Sequence, residues 1–178
     1  MNEIELIRTQ LRIERQHAEA AARACASGLV SVEAFRAAGV EYLAWILTRF
    51  EEREQVFHDL IRKRFAADDP HRLAVEVTLA SPGSSREVLA KLEAALGAGA
   101  DTGTAAQRWS DFLNFFSRAW VTRRDEIDRL FQIQAKVTDW RTVSAIDADS
   151  IVAERARWAR VEATMPTAPE LSSNMPRV

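Results

Sequence analysis

The stretch that decides the fold is residues 32–65, which read VEAFRAAGVEYLAWILTRFEEREQVFHDLIRKRF. The basic run 62–64 suits a helix C-terminus, because the helix dipole is negative there. The large apolar residues recur at intervals of three and four, as they do on one face of an α-helix: Phe35, Val40, Leu43, Ile46, Leu47, Phe50, Val56, Phe57, Leu60 and Ile61. This spacing predicts one long helix over the whole stretch.

The same periodicity extends over most of the chain, which has only 6 Gly and 5 Pro in 178 residues. It predicts further long helices over residues 4–26, 84–96 and 104–136, and a shorter pair near 139–146 and 149–163. Residues 74–79 alternate as a strand does, but a lone strand would have no partner, so we expect a loop or a short helix there. The chain is therefore predicted to be all-α.

Four long amphipathic helices joined by short loops predict an antiparallel four-helix bundle over residues 1–136. Residues 137–165 are expected to form a C-terminal helical extension packed beside the bundle. Residues 166–178 contain three prolines and few large apolar side chains, which is typical of a flexible, disordered tail.

Composition narrows the classes of function. The 24 Lys and Arg residues nearly balance the 26 Asp and Glu residues, so net charge gives no drive toward nucleic acid. The single cysteine, Cys25, cannot form an internal disulfide or a cysteine-rich zinc site. The sequence contains neither an apolar stretch long enough for a membrane span nor a secretory signal at residues 1–10. We expect a cytoplasmic protein with no nucleic-acid or membrane partner.

The two longest predicted helices resemble one another at a constant offset of 74 residues. The segment TRFEEREQVF at 48–57 can be laid over TRRDEIDRLF at 122–131. This similarity has two interpretations: chance between two amphipathic helices, or a bundle built of two similar helical hairpins. The second interpretation would place Thr48 opposite Thr122 and Glu52 opposite Glu126.

Two glutamates fall within predicted apolar stripes. Glu126 shares a helix face with Phe115, Ala119, Thr122, Leu130 and Ile133, and the repeat places Glu52 similarly beside Trp45 and Val56. A buried carboxylate needs a cation, a hydrogen-bond donor or a metal. The non-metal interpretation is a buried salt bridge to one of three arginines, Arg49, Arg53 or Arg123, with Thr48 and Thr122 bonding their own helix backbones.

With these two segments and the helix-one pattern LRIERQH at 11–17, the chain resembles the hemerythrin-like family over residues 4–135. The resemblance implies an antiparallel four-helix bundle whose interior holds two irons through several histidines and two bridging carboxylates. Position by position, His17, Glu52 and Glu126 match family ligands. Thr48 and Thr122 stand where the family has histidine, so most of the histidine ligand positions are replaced.

Ferritin-like bundles offer a second metal plan, in which lone glutamates combine with Glu-x-x-His motifs. Glu14 and His17 form one such motif, and Glu52 and Glu126 could supply lone carboxylates. The candidate metal ligands are therefore His17, Glu14, Glu52 and Glu126. A site so rich in carboxylates would suit Fe or Mn.

Three functions remain open from the sequence. The leading hypothesis is a bundle with an eroded di-iron site whose work is to bind a protein partner or to regulate rather than to catalyse. The alternative is a carboxylate-rich Fe or Mn metalloprotein for oxygen sensing, iron handling or redox chemistry. The third is a bundle that binds a small apolar ligand in a pocket lined by tryptophans: Trp45, Trp109, Trp120, Trp140 and Trp158.

Overall fold

The computed structural model describes residues 2–26, 33–80, 84–96, 102–134 and 136–165. Within these ranges the chain is helical and contains no strand, which confirms the all-α class. The predicted tail at 166–178 lies outside the described residues. The helices are α1 (Glu3–Ala26), α2 (Glu33–Arg64), α3 (Pro70–Ala80), α4 (Ser85–Leu96), α5 (Thr102–Phe115), a π-helical turn (Phe116–Trp120), α6 (Val121–Gln134), α7 (Val137–Ser144) and α8 (Ala148–Ala163).

Most predicted helix boundaries agree with the structure to within a few residues. The strand-like alternation at 74–79 lies inside α3, so the short-helix expectation is confirmed. The predicted helix over 104–136 is a continuous run of α5, the π-helical turn and α6. None of the helices in the described parts of the chain combines the length and the apolarity needed to cross a membrane.

Helix α2 is the central element of the fold. It packs against α1 and α4, and the two C-terminal helices α7 and α8 lie against both α1 and α2. A reciprocal capping box fixes the start of α8: Asp147 accepts a hydrogen bond from the Ser150 backbone N–H at 2.7 Å, and the Ser150 hydroxyl lies 2.9 Å from the Asp147 backbone N.

The apolar interior is divided into two clusters along the helices. The first cluster contains the first half of α2 together with residues of α1, α4, the π-helical turn and Val161. The second cluster contains Phe57 and Ile61 of α2 together with residues of α3, α6 and α7 and Ile7 of α1. On each long helix that contributes to both clusters, buried polar residues lie between the two apolar segments.

These polar residues form a layer between the two clusters. Glu14 lies between Ile7 and Ala18 on α1, Arg53 and Glu54 lie between Phe50 and Phe57 on α2, and Arg123 lies between Trp120 and Ile127 on α6. We call Glu14, Arg53, Glu54 and Arg123 the polar layer. All four side chains are buried, so their charges must be balanced inside the protein.

Helix α2 and the helix from α5 to α6 have similar patterns of buried residues, but in a different register from the predicted one. The buried positions of α2 and of the helix from α5 to α6 match at an offset of 70 residues instead of 74. The matching pairs are Tyr42 with Phe112, Ile46 with Phe116, Phe50 with Trp120, Arg53 with Arg123, Phe57 with Ile127, and Ile61 with Phe131. The predicted register pairs the exposed residues Thr48 with Thr122 and Glu52 with Glu126, whose positions packing does not constrain.

Candidate functional site

A buried glutamate joins α8 to the polar groups of α1 and α2. Glu154 of α8 is fully buried, and its Oε1 atom lies 2.7 Å from His17 Nδ1. The Tyr42 hydroxyl donates a hydrogen bond to the same oxygen at 2.9 Å. Gln10 Nε2 approaches the other oxygen at 3.5 Å. We call Glu154, His17, Tyr42 and Gln10 the Glu154 cluster; it connects α8 to α1 and α2.

Aromatic contacts hold this cluster in place. The ring of Trp158, one turn after Glu154, stacks on the His17 imidazole with centroids 4.0 Å apart and planes 5° from parallel. The same indole meets the Tyr42 ring edge-on at 5.4 Å. These contacts restrict the His17 ring to an orientation in which Nδ1 points at the carboxylate.

The cluster stabilises a negative charge inside the protein. Burial alone raises the pKa of the Glu154 carboxyl, but the hydrogen bonds from His17 and Tyr42 outweigh it and leave the pKa below its ordinary value. Burial, followed by the adjacent Glu154 charge, raises the pKa of Tyr42 far above its usual range. Glu154 is therefore the acceptor of the cluster and Tyr42 a permanent donor.

The first ion pair of the polar layer links α1, α2 and α7. Arg53 Nη1 donates to Glu14 Oε2 at 2.5 Å, and Arg53 Nε donates to the Ser144 carbonyl at 2.5 Å. The other carboxylate oxygen, Glu14 Oε1, is buried and has no hydrogen-bond partner within the described residues. Glu14 lies one turn from both Gln10 and His17, on the α1 face that carries the Glu154 cluster.

The second ion pair repeats this arrangement with other elements. Arg123 Nη1 donates to Glu54 Oε2 at 3.0 Å, and Arg123 Nε donates to the Thr78 carbonyl at 3.1 Å. Each arginine therefore binds one glutamate and one carbonyl near the C-terminal end of a short helix, α7 or α3. The two guanidinium groups occupy matching places in the two similar helices.

The four predicted metal ligands do not come together. Glu14 and His17 are in the interior, but Glu52 and Glu126 are exposed, so the prediction that these two lie in a buried stripe is wrong. The side chain of Glu126 is 52% exposed, and its contact with Arg129 is long, at 3.9 Å. No group of three or more His, Cys, Asp or Glu side chains in the described parts of the chain is arranged to hold a metal ion.

The buried face of the helix from α5 to α6 explains the error for Glu126. It runs through Phe112, Phe116 and Trp120 at intervals of four and continues at Arg123. Residues three and four apart both share a helix face, so the spacing of the apolar residues fits two neighbouring faces. The predicted face, through Thr122 and Glu126, lies beside the buried one, and these two residues are exposed.

The salt-bridge interpretation was right about two arginines and wrong about their partners. Arg53 and Arg123 are buried and paired, but with Glu14 and Glu54 instead of Glu52 and Glu126. The predicted backbone bond of Thr48 is confirmed, since its hydroxyl donates to the Ala44 carbonyl at 2.8 Å. The exposed positions of Thr48, Glu52, Thr122 and Glu126 show that these residues do not face one another across the interior.

The tryptophans lie in several different parts of the protein. Trp120 belongs to the first apolar cluster and Trp140 to the second. Two guanidinium groups lie over the ring of Trp45, with Arg157 at 4.7 Å and Arg49 at 5.2 Å from its centroid. The position of the Trp109 side chain is outside the described part.

The sequence carries a signal for Glu154 in the spacing of the apolar residues around it. The apolar residues Ile151, Trp158 and Val161 are spaced so that position 154 falls on the same helix face. A glutamate at such a position is expected to be buried and hydrogen-bonded. Tyr42 likewise stands within the apolar stripe of α2 as its only hydroxyl-bearing aromatic residue.

Comparisons with protein-family models, with characterised proteins and with solved structures give no match for this chain. The arrangement of residues must therefore be interpreted on its own chemistry. Two guanidinium groups and two carboxylates neutralise each other in the polar layer, and arginine donors cannot ligate a metal. The described residues thus do not fit a di-iron centre of the kind that the hemerythrin-like resemblance implies.

Proposed function

We propose that this protein is a hemerythrin-like antiparallel four-helix bundle in which arginine–glutamate pairs have replaced the di-iron site. It acts by binding, as a regulatory or partner-binding protein, and not as an enzyme. The observation that carries this proposal is the buried contact of 2.5 Å between Arg53 and Glu14. It lies in the middle of the helices, between the two apolar clusters, which is where bundles of this class place their cofactors.

The chemistry of arginine supports the replacement. A guanidinium group stays protonated at every physiological pH and presents only N–H donors. A divalent cation next to Arg53 would meet a fixed positive charge and would compete with it for the Glu14 carboxylate. The pair of Arg123 with Glu54 supplies the same neutralisation at the next residue of α2.

Metal analysis tests the proposal directly. The full chain is purified without chelators, and its Fe and Mn contents are measured before and after anaerobic incubation with Fe(II). We expect no stoichiometric metal in either sample. One or two Fe or Mn per chain, lost in Glu14→Gln but kept in the matched surface variant Glu52→Gln, would overturn the proposal in favour of the metalloprotein alternative.

A further inference from the structure

The side of the bundle between α1 and α6 contains a groove with an unusual charge. Its volume is about 480 Å³, within the range of about 300–1,000 Å³ that small-molecule sites have. Four arginines and two aspartates line it, in a chain whose net charge is −2. The surface of the groove is thus locally positive while the protein as a whole is acidic.

Three of these guanidinium groups are available to a ligand. Arg12 has no hydrogen-bond or ion-pair partner among the described residues, and Arg8 contacts only the neutral Gln132 amide oxygen, at 3.3 Å. Arg129 on the opposite wall has a glutamate no nearer than 3.9 Å. Arg8 and Arg12 are one turn apart on α1, so they lie side by side.

Beneath the groove lies a small apolar cavity. Its volume is about 40 Å³, and its walls include Phe50, Phe57 and Phe131. Leu11, Arg15 and Asp128 line both the groove and the cavity, so the two spaces adjoin at these residues. An ion pair at this junction joins Arg15 to Asp125, and a longer contact of 3.6 Å joins Arg15 to Asp128.

We propose that this groove binds a small organic anion that carries an apolar group. Arg8, Arg12 and Arg129 hold the anionic head, which is a carboxylate or a phosphate monoester, because guanidinium groups form paired hydrogen bonds with both. The apolar group lies along Leu11 and Trp140, with its end directed toward the phenylalanine-lined cavity. The inference rests on the proposed function, since it names the ligand class of a binding protein.

Calorimetric titration of the full chain tests the site with four probes: octanoate, octyl phosphate, 1-octanol and acetate. Octanoate and octyl phosphate are expected to bind at least tenfold more tightly than octanol, which lacks the charge, and than acetate, which lacks the chain. The tighter of the two octyl anions identifies the head group. Octanol binding as tightly as both anions, or no saturable binding of either anion, would overturn the inference.

Charge-removing variants locate the site. Arg12→Gln and Arg129→Gln are expected to weaken binding of the tighter anion about tenfold or more, as loss of one charge-assisted contact does. Arg160→Gln is the matched control, because Arg160 is an exposed arginine that pairs with Glu41 outside the groove. Equal weakening in all three variants would contradict the site, since it would reflect only net charge.

Metal content measured on the same preparations separates the two proposals. If the protein is free of metal but binds no anion, the anion site in the groove is refuted and the replacement of the di-iron site by arginine–glutamate pairs is not. If the protein binds the anions through Arg12 but also holds stoichiometric iron, the replacement is refuted and the anion site is not.

Discussion

Removing the Glu154 carboxylate should detach α8 from the rest of the protein. Glu154→Ala leaves three donors without their acceptor: His17, Tyr42 and Gln10. Tyr42 is 1% exposed and Gln10 is 3% exposed, so water cannot replace the lost acceptor there without structural change. His17 is about a quarter exposed and can recover part of its hydrogen bonding from solvent.

The magnitude follows from these contacts. Hydrogen bonds to a charged group contribute about 1.5–3 kcal/mol each, and the contact at 3.5 Å from Gln10 contributes less. Two strong bonds, one of them partly solvated, give a loss of about 3–5 kcal/mol, the range for removing one partner of a buried ion pair. For a chain of this size that loss lowers Tm by roughly 6–20 °C.

Urea unfolding followed by circular dichroism measures the effect, with Glu162→Ala on the exposed side of α8 as the matched control. The pH dependence gives a second reading. The folded pKa of Glu154 lies below its ordinary value of 4.5, so its stabilisation is present above pH 4.5 and disappears as pH falls through the folded pKa. A loss of less than about 1 kcal/mol in Glu154→Ala at pH 7 would refute the reasoning.

The remaining predictions concern the polar layer and two other buried groups. Arg53→Met should lower the free energy of unfolding by about 3–5 kcal/mol, because it leaves Glu14 charged and buried. The double variant Arg53→Met/Glu14→Leu should recover most of that loss. Additive losses in the double-mutant cycle would contradict direct pairing of the two residues. Tyr42→Phe should lower the free energy of unfolding by about 1–3 kcal/mol at pH 7. The difference in stability between the variant and the wild type should narrow above pH 10, because the raised pKa of Tyr42 destabilises the wild type there. A difference that stays constant from pH 7 to 11 would argue against this role of Tyr42. Asp139→Asn should lower the free energy of unfolding by about 1–3 kcal/mol at pH 7, because Arg64 donates to both oxygens of Asp139 at 2.7 Å. This loss should vanish in acid as the pH falls through the lowered pKa of Asp139. A loss of stability that does not change with pH would show another origin.

The helices could be predicted from the sequence because their apolar spacing is regular and their ends carry ordinary stop signals. The fourth long helix shows how far this goes: its extent was predicted, but the π-helical turn at Phe116–Trp120 was not. Spacings of three and four residues are compatible with two neighbouring faces of one helix, and the sequence does not decide between them. Thr122 and Glu126 lie on the face that turned out to be exposed, as does Glu52 on α2.

The candidate site was predicted less well, because its partners are distant in the chain. His17 and Glu14 were singled out, yet the carboxylate that binds His17 is 137 residues away, on α8. Local spacing places residues on one helix face, but it does not decide which other helix that face meets. The pairing of Arg53 with Glu14 instead of Glu52 depends on the same packing between helices.

The separation in sequence between Glu154 and its partners has a consequence for synthesis. A ribosome releases α1 and α2 long before α8, so the growing chain holds His17, Tyr42 and Gln10 for some time without the carboxylate they bind. Contacts that span 112 to 144 residues cannot form until α8 has emerged. A stop codon before residue 148 would therefore yield a polypeptide with open polar groups in its interior, a substrate for chaperones and proteases.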